Sequence, residues 1–165
     1  MTRHAVLVIV PWLALSPAVF AAESGKLYTV VEVKPVSEFW LNPGFYSYHF
    51  RNDKQLDGNN FGLGAEYRYS TVGAVVAGAF RNSDRHHSRY LGWVWQPLAV
   101  GPLRVGAMVG AIDGYPKMKN GGWFPLVVPV VGFEYQRVGA NLVVVPGYGD
   151  RLYGSLSLQA KFRLF

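Results

Sequence analysis

The chain has 165 residues, no cysteine and a net charge of +6, from 16 basic and 10 acidic residues. The absence of cysteine excludes disulfides, cysteine-ligated metals and a cysteine nucleophile, and basic residues spread along the whole chain do not form the compact basic face of a nucleic-acid-binding domain. Half of the residues are hydrophobic, yet beyond the N-terminus no apolar stretch reaches the about 20 residues of a transmembrane helix, which leaves a soluble β-rich domain or a membrane β-barrel.

The N-terminus has the layout of a secretory signal peptide. Arg3 and His4 precede an apolar run at residues 5–15, and a small-residue segment follows at residues 19–22. The apolar run is too short to span a membrane as a helix, so we expect cleavage after Ala21. The predicted divisions are a signal peptide (1–21), an N-terminal segment (22–42) and a β-barrel (43–165). The sequence leaves the N-terminal segment open as an extra strand, a periplasmic tether or an interfacial segment.

Three later segments alternate between apolar residues and polar or small ones, with the period of two that a strand with two different faces requires. They are residues 61–69, 103–111 and 155–164. A strand of a barrel in lipid shows one face to the bilayer and the other to the lumen, but a soluble sandwich produces the same alternation. The number of strands and their connections must therefore separate the two folds.

The whole pattern predicts eight strands, at residues 43–51, 60–70, 72–82, 88–97, 102–113, 124–135, 138–146 and 153–165. Short connections at 70–71, 98–101 and 136–137 alternate with longer, polar ones at 52–59, 83–87, 114–123 and 147–152. Short turns on one side and long loops on the other are typical of outer-membrane barrels, and an even number of strands closes the sheet without exposed edges. The predicted fold class is therefore all-β, an eight-stranded antiparallel outer-membrane β-barrel.

Two strand ends on the long-loop side carry side chains suited to acyl transfer. His49 lies near the end of the first predicted strand, and Asn82 and Ser83 lie at the end of the third. Acyl transfer needs a general base, for which an imidazole is suited near neutral pH. It also needs donors for an oxyanion, which Ser83, Asn82 or loop amides can supply. The alternatives are an ordinary interfacial histidine and ordinary turn residues.

Small or slender residues on predicted inward faces leave room in the lumen for one slim ligand. They are Gly62, Gly64, Gly92, Gly106, Met108 and Gly110. The alternative is that glycine lets a small barrel bend tightly.

Pro125, Pro129 and Pro146 interrupt the hydrogen-bond ladder of the sixth and seventh strands. This pattern indicates either a lateral opening for a lipid or ordinary strand ends and bulges.

Short motifs in a fixed order over residues 45–165 carry a family resemblance. They are Tyr48-His49, Phe61-Gly62-Leu63, Ala79-Phe80-Arg81-Asn82-Ser83, Gly92-Trp93, Trp95-Gln96-Pro97-Leu98, Pro125-Leu126 with Pro129, and Val145-Pro146-Gly147. In their order, spacing and coverage the chain resembles the lipid A palmitoyltransferase family, outer-membrane barrels that move a palmitoyl chain from a glycerophospholipid to lipid A. The joint match carries the resemblance, since no single motif is specific.

The resemblance implies that His49 and Ser83 are catalytic, with Asn82 at the position of the family's catalytic aspartate. An asparagine can orient an imidazole but supplies no charge to stabilise its cation. Either the carboxylate is dispensable here, or Asp84 takes its place, or the activity is lost. The resemblance also implies that Gly92 forms the floor of the acyl-chain site and that the prolines flank lipid gates.

The predicted outer rim carries eight basic residues against five acidic ones. Arginine and lysine bind phosphates, and the phosphates of lipid A face such a rim in an outer membrane. Arg81, Arg85 and Arg89 are therefore candidate substrate-binding residues, with an ordinary solvated rim as the alternative.

His86 and His87 with Asp84 are not expected to bind a metal, because adjacent histidines in a loop point apart.

These observations together predict a lipid A acyltransferase that takes a palmitoyl-type chain from a glycerophospholipid. The predicted partners are the phospholipid donor, the lipid A acceptor and outer-membrane lipids, without nucleic acid, metal or cofactor, and we expect a monomer. Two other classes compete with this prediction. One is a non-catalytic outer-membrane barrel with a structural or adhesive role, and the other is a soluble periplasmic lipid carrier.

Overall fold

The computed structural model of the chain describes residues 26–51 and 53–165, so the predicted signal peptide at residues 1–21 lies outside the described residues. In these two ranges the regular structure consists of nine strands and one short 3-10 helix. They are β1 (Thr29–Val30), β2 (Pro35–His49), β3 (Asn59–Ser70), β4 (Gly73–Arg81), β5 (His87–Val100), β6 (Leu103–Ile112), η1 (Lys119–Gly121), β7 (Phe124–Tyr135), β8 (Val138–Val145) and β9 (Ser155–Arg163). None of the helical structure in these ranges is long and apolar enough to cross a membrane.

Strands β2 to β9 close into a barrel. Each strand pairs antiparallel with the next, and β2 also pairs with β9. The predicted eight-stranded antiparallel β-barrel is confirmed. Strand β1 is an addition to it and pairs with Leu98 and Ala99 of β5. Two-residue turns join β3 to β4, β5 to β6 and β7 to β8 at one end, and the longer loops lie at the other end.

The first barrel strand begins earlier than the sequence predicts, at Pro35 instead of residue 43. Its register is irregular around Gly44, which has a φ of 107° and whose Cβ, if present, would lie 2.2 Å from the carbonyl oxygen of Asn60. Trp40 is buried before this bulge and Ser47 after it, so the inward-facing residues change from even to odd numbers. A bulge that changes the parity interrupts the alternation from which a strand is predicted.

The outward and inward faces differ as the alternation predicts. In β3, Phe61 and Leu63 face outward and are 73% and 68% exposed, whereas Glu66 faces inward and is 3% exposed. In β9, Phe162 is exposed and Lys161 is buried. The barrel therefore presents an apolar outer surface, while charged side chains of the same strands point into the lumen, the pattern of barrels that face lipid.

A buried network of charges fills the half of the lumen next to the short turns. The Nζ of Lys161 lies 2.9 Å from Oε1 of Glu66 and 2.7 Å from Oε1 of Glu134. Arg68 donates hydrogen bonds to the same two carboxylates, and the Trp40 ring packs 4.7 Å from Lys161 Nζ. Two cations thus balance two anions, which makes the burial of all four groups possible and closes this end of the lumen.

Candidate functional site

The half of the lumen next to the long loops is an open cavity. The empty space inside it, counted together with the open solvent at its mouth, is about 860 Å³. The wall is mostly apolar and includes Phe45, Phe80, Met108, Phe124, Leu126 and Val128. The shape and lining suit a long apolar chain whose polar head stays at the rim.

Tyr90 forms the floor of this cavity. It is buried, and its ring passes over the neighbouring strand β4 so that its hydroxyl lies over β3 and 3.5 Å from Nδ2 of Asn42 in β2. A Cβ at Gly64 would lie 2.1 Å from the Tyr90 hydroxyl oxygen, and a Cβ at Gly78 would lie 2.7 Å from the ring. These two glycines therefore make room for the tyrosine. The sequence predicts space for a ligand at Gly64, but the structure fills that space with Tyr90. Tyr90 and Gly92 are two residues apart in one strand and so face the same side, which was the available signal that Tyr90 lies in the lumen.

Gly92 lies behind Met108 and is not itself on the cavity wall. A Cβ at Gly92 would lie 2.5 Å from the ε-carbon of Met108, which does line the cavity. Gly106 and Gly110 lie against the backbone of β5, where added Cβ atoms would fall 1.9 Å and 2.3 Å from carbonyl oxygens. For these two glycines the structure favours the tight-bend alternative over space for a ligand.

His49 is the last residue of β2 and lies half-buried on the cavity wall. It faces inward because the bulge at Gly44 turns the odd-numbered residues of this strand end toward the lumen. The neighbouring Tyr48 is 60% exposed on the outer face. The imidazole is thus placed where the apolar cavity meets the loops.

Ser83 and Asp84 lie on the same cavity wall as His49. The Ser83 hydroxyl donates to Oδ1 of Asn60 at 3.4 Å, and Nδ2 of Asn60 lies 3.3 Å from the same hydroxyl oxygen. The carbonyl oxygen of Ser83 accepts a hydrogen bond from the Asp57 amide at 3.0 Å. The structure therefore brings together an imidazole, a hydroxyl and a carboxylate at the mouth of one cavity.

Asn82 lies apart from this group. It is 1% exposed and is not part of the cavity wall. Its Nδ2 donates to the Ser88 hydroxyl and to the Gly114 carbonyl, both at 2.8 Å, and its Oδ1 accepts from the His86 amide at 2.9 Å. Every polar atom of the side chain is used to hold the loops together.

The three candidate arginines are exposed near the rim but differ in their contacts. Nε of Arg89 donates to Oδ2 of Asp113 at 2.8 Å, and its guanidinium lies 5.4 Å from the Trp123 ring centre. Arg85 takes a left-handed backbone conformation with a φ of 65°, and its carbonyl accepts a 3.4 Å hydrogen bond from Nε of Arg81. Both contacts of the Arg89 side chain are therefore with residues of a neighbouring loop. No ion pair of the described residues involves Arg81 or Arg85.

The barrel wall has an unpaired seam beside the cavity. Strand β7 pairs with β8 only from Val130 to Tyr135, so its residues 124–129 have no partner on β8. Pro125 and Pro129 lie in this stretch and supply no amide donor. An unpaired backbone in hydrocarbon is costly, and leaving out the amide hydrogen reduces that cost. Leu126 and Val128 of this stretch line the cavity.

Among residues 26–51 and 53–165, no group of three or more histidine, cysteine or acidic side chains is close enough to hold a metal ion. An imidazole on the wall of an apolar cavity that a hydroxyl and a carboxylate also line can move a proton next to a long-chain ester.

Comparison with known proteins points to one group of enzymes. No protein-family model matches the chain. Over an alignment of 133 residues the chain is 29% identical to the lipid A acyltransferase PagP of Laribacter hongkongensis. The alignment covers 73% of this chain, and the chain spans 62% of the length of that relative. This similarity confirms the resemblance that the motifs predict.

Proposed function

We propose, from the similarity of the chain to the lipid A acyltransferase PagP, that it transfers a palmitoyl-type chain from a glycerophospholipid to lipid A. The observation that carries the proposal is the apolar cavity with His49 and Ser83 at its mouth. The seam between β7 and β8 gives a membrane lipid a route from the bilayer to that cavity. We place the protein in the outer membrane as a monomer, exported by a cleaved signal peptide.

The proposed reaction uses His49 first as a base and then as an acid. The imidazole accepts the proton of a lipid A hydroxyl, whose oxygen attacks the ester carbonyl carbon of the phospholipid. The resulting oxyanion needs donors, which the Ser83 hydroxyl and the backbone amides of the loop can supply. When the ester C–O bond breaks, the imidazolium returns its proton to the departing glycerol oxygen. The products are acylated lipid A and a lysophospholipid.

The cavity would select the acyl chain by shape. A chain that leaves the bilayer gains little hydrophobic free energy, because lipid tails are as apolar as the cavity wall. The depth of the cavity down to Tyr90 and Met108 then decides which chains fit with the ester at the rim. Rim arginines such as Arg81 and Arg85 are available to bind the phosphates of lipid A.

The replacement of aspartate by Asn82 keeps the non-catalytic barrel as the second candidate. If a carboxylate at that position were indispensable, the protein would retain the fold and the cavity without the activity. This candidate predicts unchanged lipid A in every strain, while the protein still fractionates with the outer membrane.

Mass spectrometry of lipid A tests the two candidates. We expect one added acyl mass in cells that carry the gene, absent without the gene and absent with His49→Ala. The matched control is His86→Ala, because His86 is exposed and does not line the cavity. Heat-modifiable gel mobility in membrane fractions verifies that each variant is folded. Identical lipid A with and without the gene would refute the acyltransferase and leave the structural barrel.

A further inference from the structure

Asp84 is the acidic residue of the cavity wall. The other ionisable side chains that line the cavity are His49 and three tyrosines, Tyr90, Tyr115 and Tyr153, and tyrosines are neutral near neutral pH. Among the described residues, Asp84 is therefore the single negative charge in this wall. Tyr115 lies close enough to be affected by this charge. Burial raises the pKa of Tyr115, and the Asp84 carboxylate raises it further.

A clamped turn holds Asp84 in this place. The Arg85 amide donates to the Asn82 carbonyl at 2.8 Å, and the Asn82 amide donates to the His86 carbonyl at 2.8 Å. Ser83 and Asp84 are the central residues of the resulting turn. The Asn82 side chain fixes this turn to Ser88 and to the neighbouring loop, and it has no polar atom left for His49. The side-chain amide of Asn82 thus holds the turn in the position in which Ser83 and Asp84 face the cavity.

The Asp84 carboxylate is available for an interaction with His49. Asp84 lines the same cavity wall as His49, and no ion pair of the described residues involves it. An apolar wall with low polarisability strengthens such an interaction relative to bulk water.

We propose that Asp84 is the positioning residue of His49, two residues beyond the position that the resemblance indicates. Its carboxylate orients the imidazole and stabilises the imidazolium that forms when the lipid A hydroxyl loses its proton. The carboxylate does not itself take up the proton. This inference rests on the proposed acyl transfer and gives Asn82 and Asp84 separate tasks, the first structural and the second electrostatic.

The test is the rate of transfer from a glycerophospholipid with a labelled acyl chain to lipid A, with purified full-length protein in detergent micelles. For Asp84→Asn we expect kcat to fall roughly 10- to 100-fold with little change in KM, less than the loss of a general base itself. The acid limb of the kcat/KM profile should move to lower pH, because the imidazolium loses a neighbouring negative charge. Asp84→Glu keeps the charge and should restore most of kcat.

Asp150→Asn is the matched control, because Asp150 is an exposed loop acid outside the cavity wall, and we expect its kcat and pH profile to equal those of the wild type. An unchanged kcat in folded Asp84→Asn would overturn the proposal. A lower kcat with an unmoved acid limb would also overturn it, because that result assigns Asp84 a structural role in the turn.

A second measurement separates this inference from the proposed function. NMR of the His49 imidazole follows its titration without any turnover. The midpoint should move to lower pH in Asp84→Asn and stay unchanged in Asp150→Asn. A wild-type protein that transfers no acyl chain would refute the proposed function, whereas an unmoved His49 midpoint would refute the pairing with Asp84.

Discussion

Restoring the aspartate at position 82 should harm this protein. In Asn82→Asp an oxygen replaces Nδ2, the donor to the Gly114 carbonyl and the Ser88 hydroxyl, both at 2.8 Å. The hydroxyl can turn and donate to the new carboxylate, but the carbonyl can only repel it. The His86 amide keeps its acceptor. The change therefore removes donors from a site that is 1% exposed and places a negative charge there.

The expected cost is about 2 kcal/mol, from one lost hydrogen bond at about 1 kcal/mol and about 1 kcal/mol for a carbonyl left without a donor. Burial of the unpaired charge adds to this cost. At a denaturant slope of about 2 kcal/mol per molar urea, the midpoint of unfolding should fall by about 1 M. The control Asn120→Asp changes an exposed loop residue and should stay within about 0.5 kcal/mol of the wild type.

The assay is urea unfolding of the purified barrel in detergent, followed by heat-modifiable gel mobility, together with the acyl-transfer rate of the fraction that remains folded. We expect no gain in that rate, because the clamped side chain does not face His49. A variant that unfolds at the wild-type urea concentration and transfers acyl chains faster would show that the clamp is unimportant and that position 82 serves the imidazole.

Three further outcomes follow from the lumen and the loops. Lys161→Met should cost about 3–5 kcal/mol, because Glu66 and Glu134 are then left with Arg68 as their single cation and one negative charge is uncompensated. Adding Glu66→Gln should recover part of the loss, and equal urea midpoints for the single variant and the wild type would argue against the network. Gly64→Ala places a Cβ 2.1 Å from the tyrosine oxygen on the cavity floor, so thermal unfolding should show a loss of about 1–3 kcal/mol from overpacking. Burial raises the pKa of Asp113, but the hydrogen bonds and charge of Arg89 outweigh burial and hold it below its usual value. The stability from this pair is thus present above about pH 4 and is lost as the pH falls through the lowered pKa. Asp113→Asn should flatten this acid-side loss in a series of urea midpoints, and an unchanged slope would contradict the pairing.

The local pattern of the chain was enough to predict the barrel. Alternation in segments such as 61–69 depends only on neighbouring residues, since successive side chains of a strand point to opposite faces. The short turns and long loops likewise lie in continuous stretches of sequence. The strand count, the apolar outer face and the loop side that carries His49 and Ser83 could therefore be predicted without tertiary information.

The start of the first barrel strand was not predicted correctly because of the bulge within it. Pro43 and Gly44 have the composition of a strand end, and the inward parity changes there, so residues 35–42 do not continue the pattern of residues 45–49. The bulge is possible because the Asn60 carbonyl of the neighbouring strand lies against Gly44. That contact joins residues far apart in the chain and leaves no local signal.

The site depended most on contacts between residues far apart in the chain. The sequence places Gly64 and Tyr90 on inward faces, but only the register of β3, β4 and β5 brings the tyrosine into the space above the glycine. In the same way, Asn82 and Asp84 are both polar residues of one turn. The hydrogen-bond partners of Asn82, above all the Gly114 carbonyl from another loop, turn its side chain away from the cavity and leave Asp84 on the wall. Side-chain direction in a turn follows from such long-range partners, because loop backbone has no fixed periodicity to encode it.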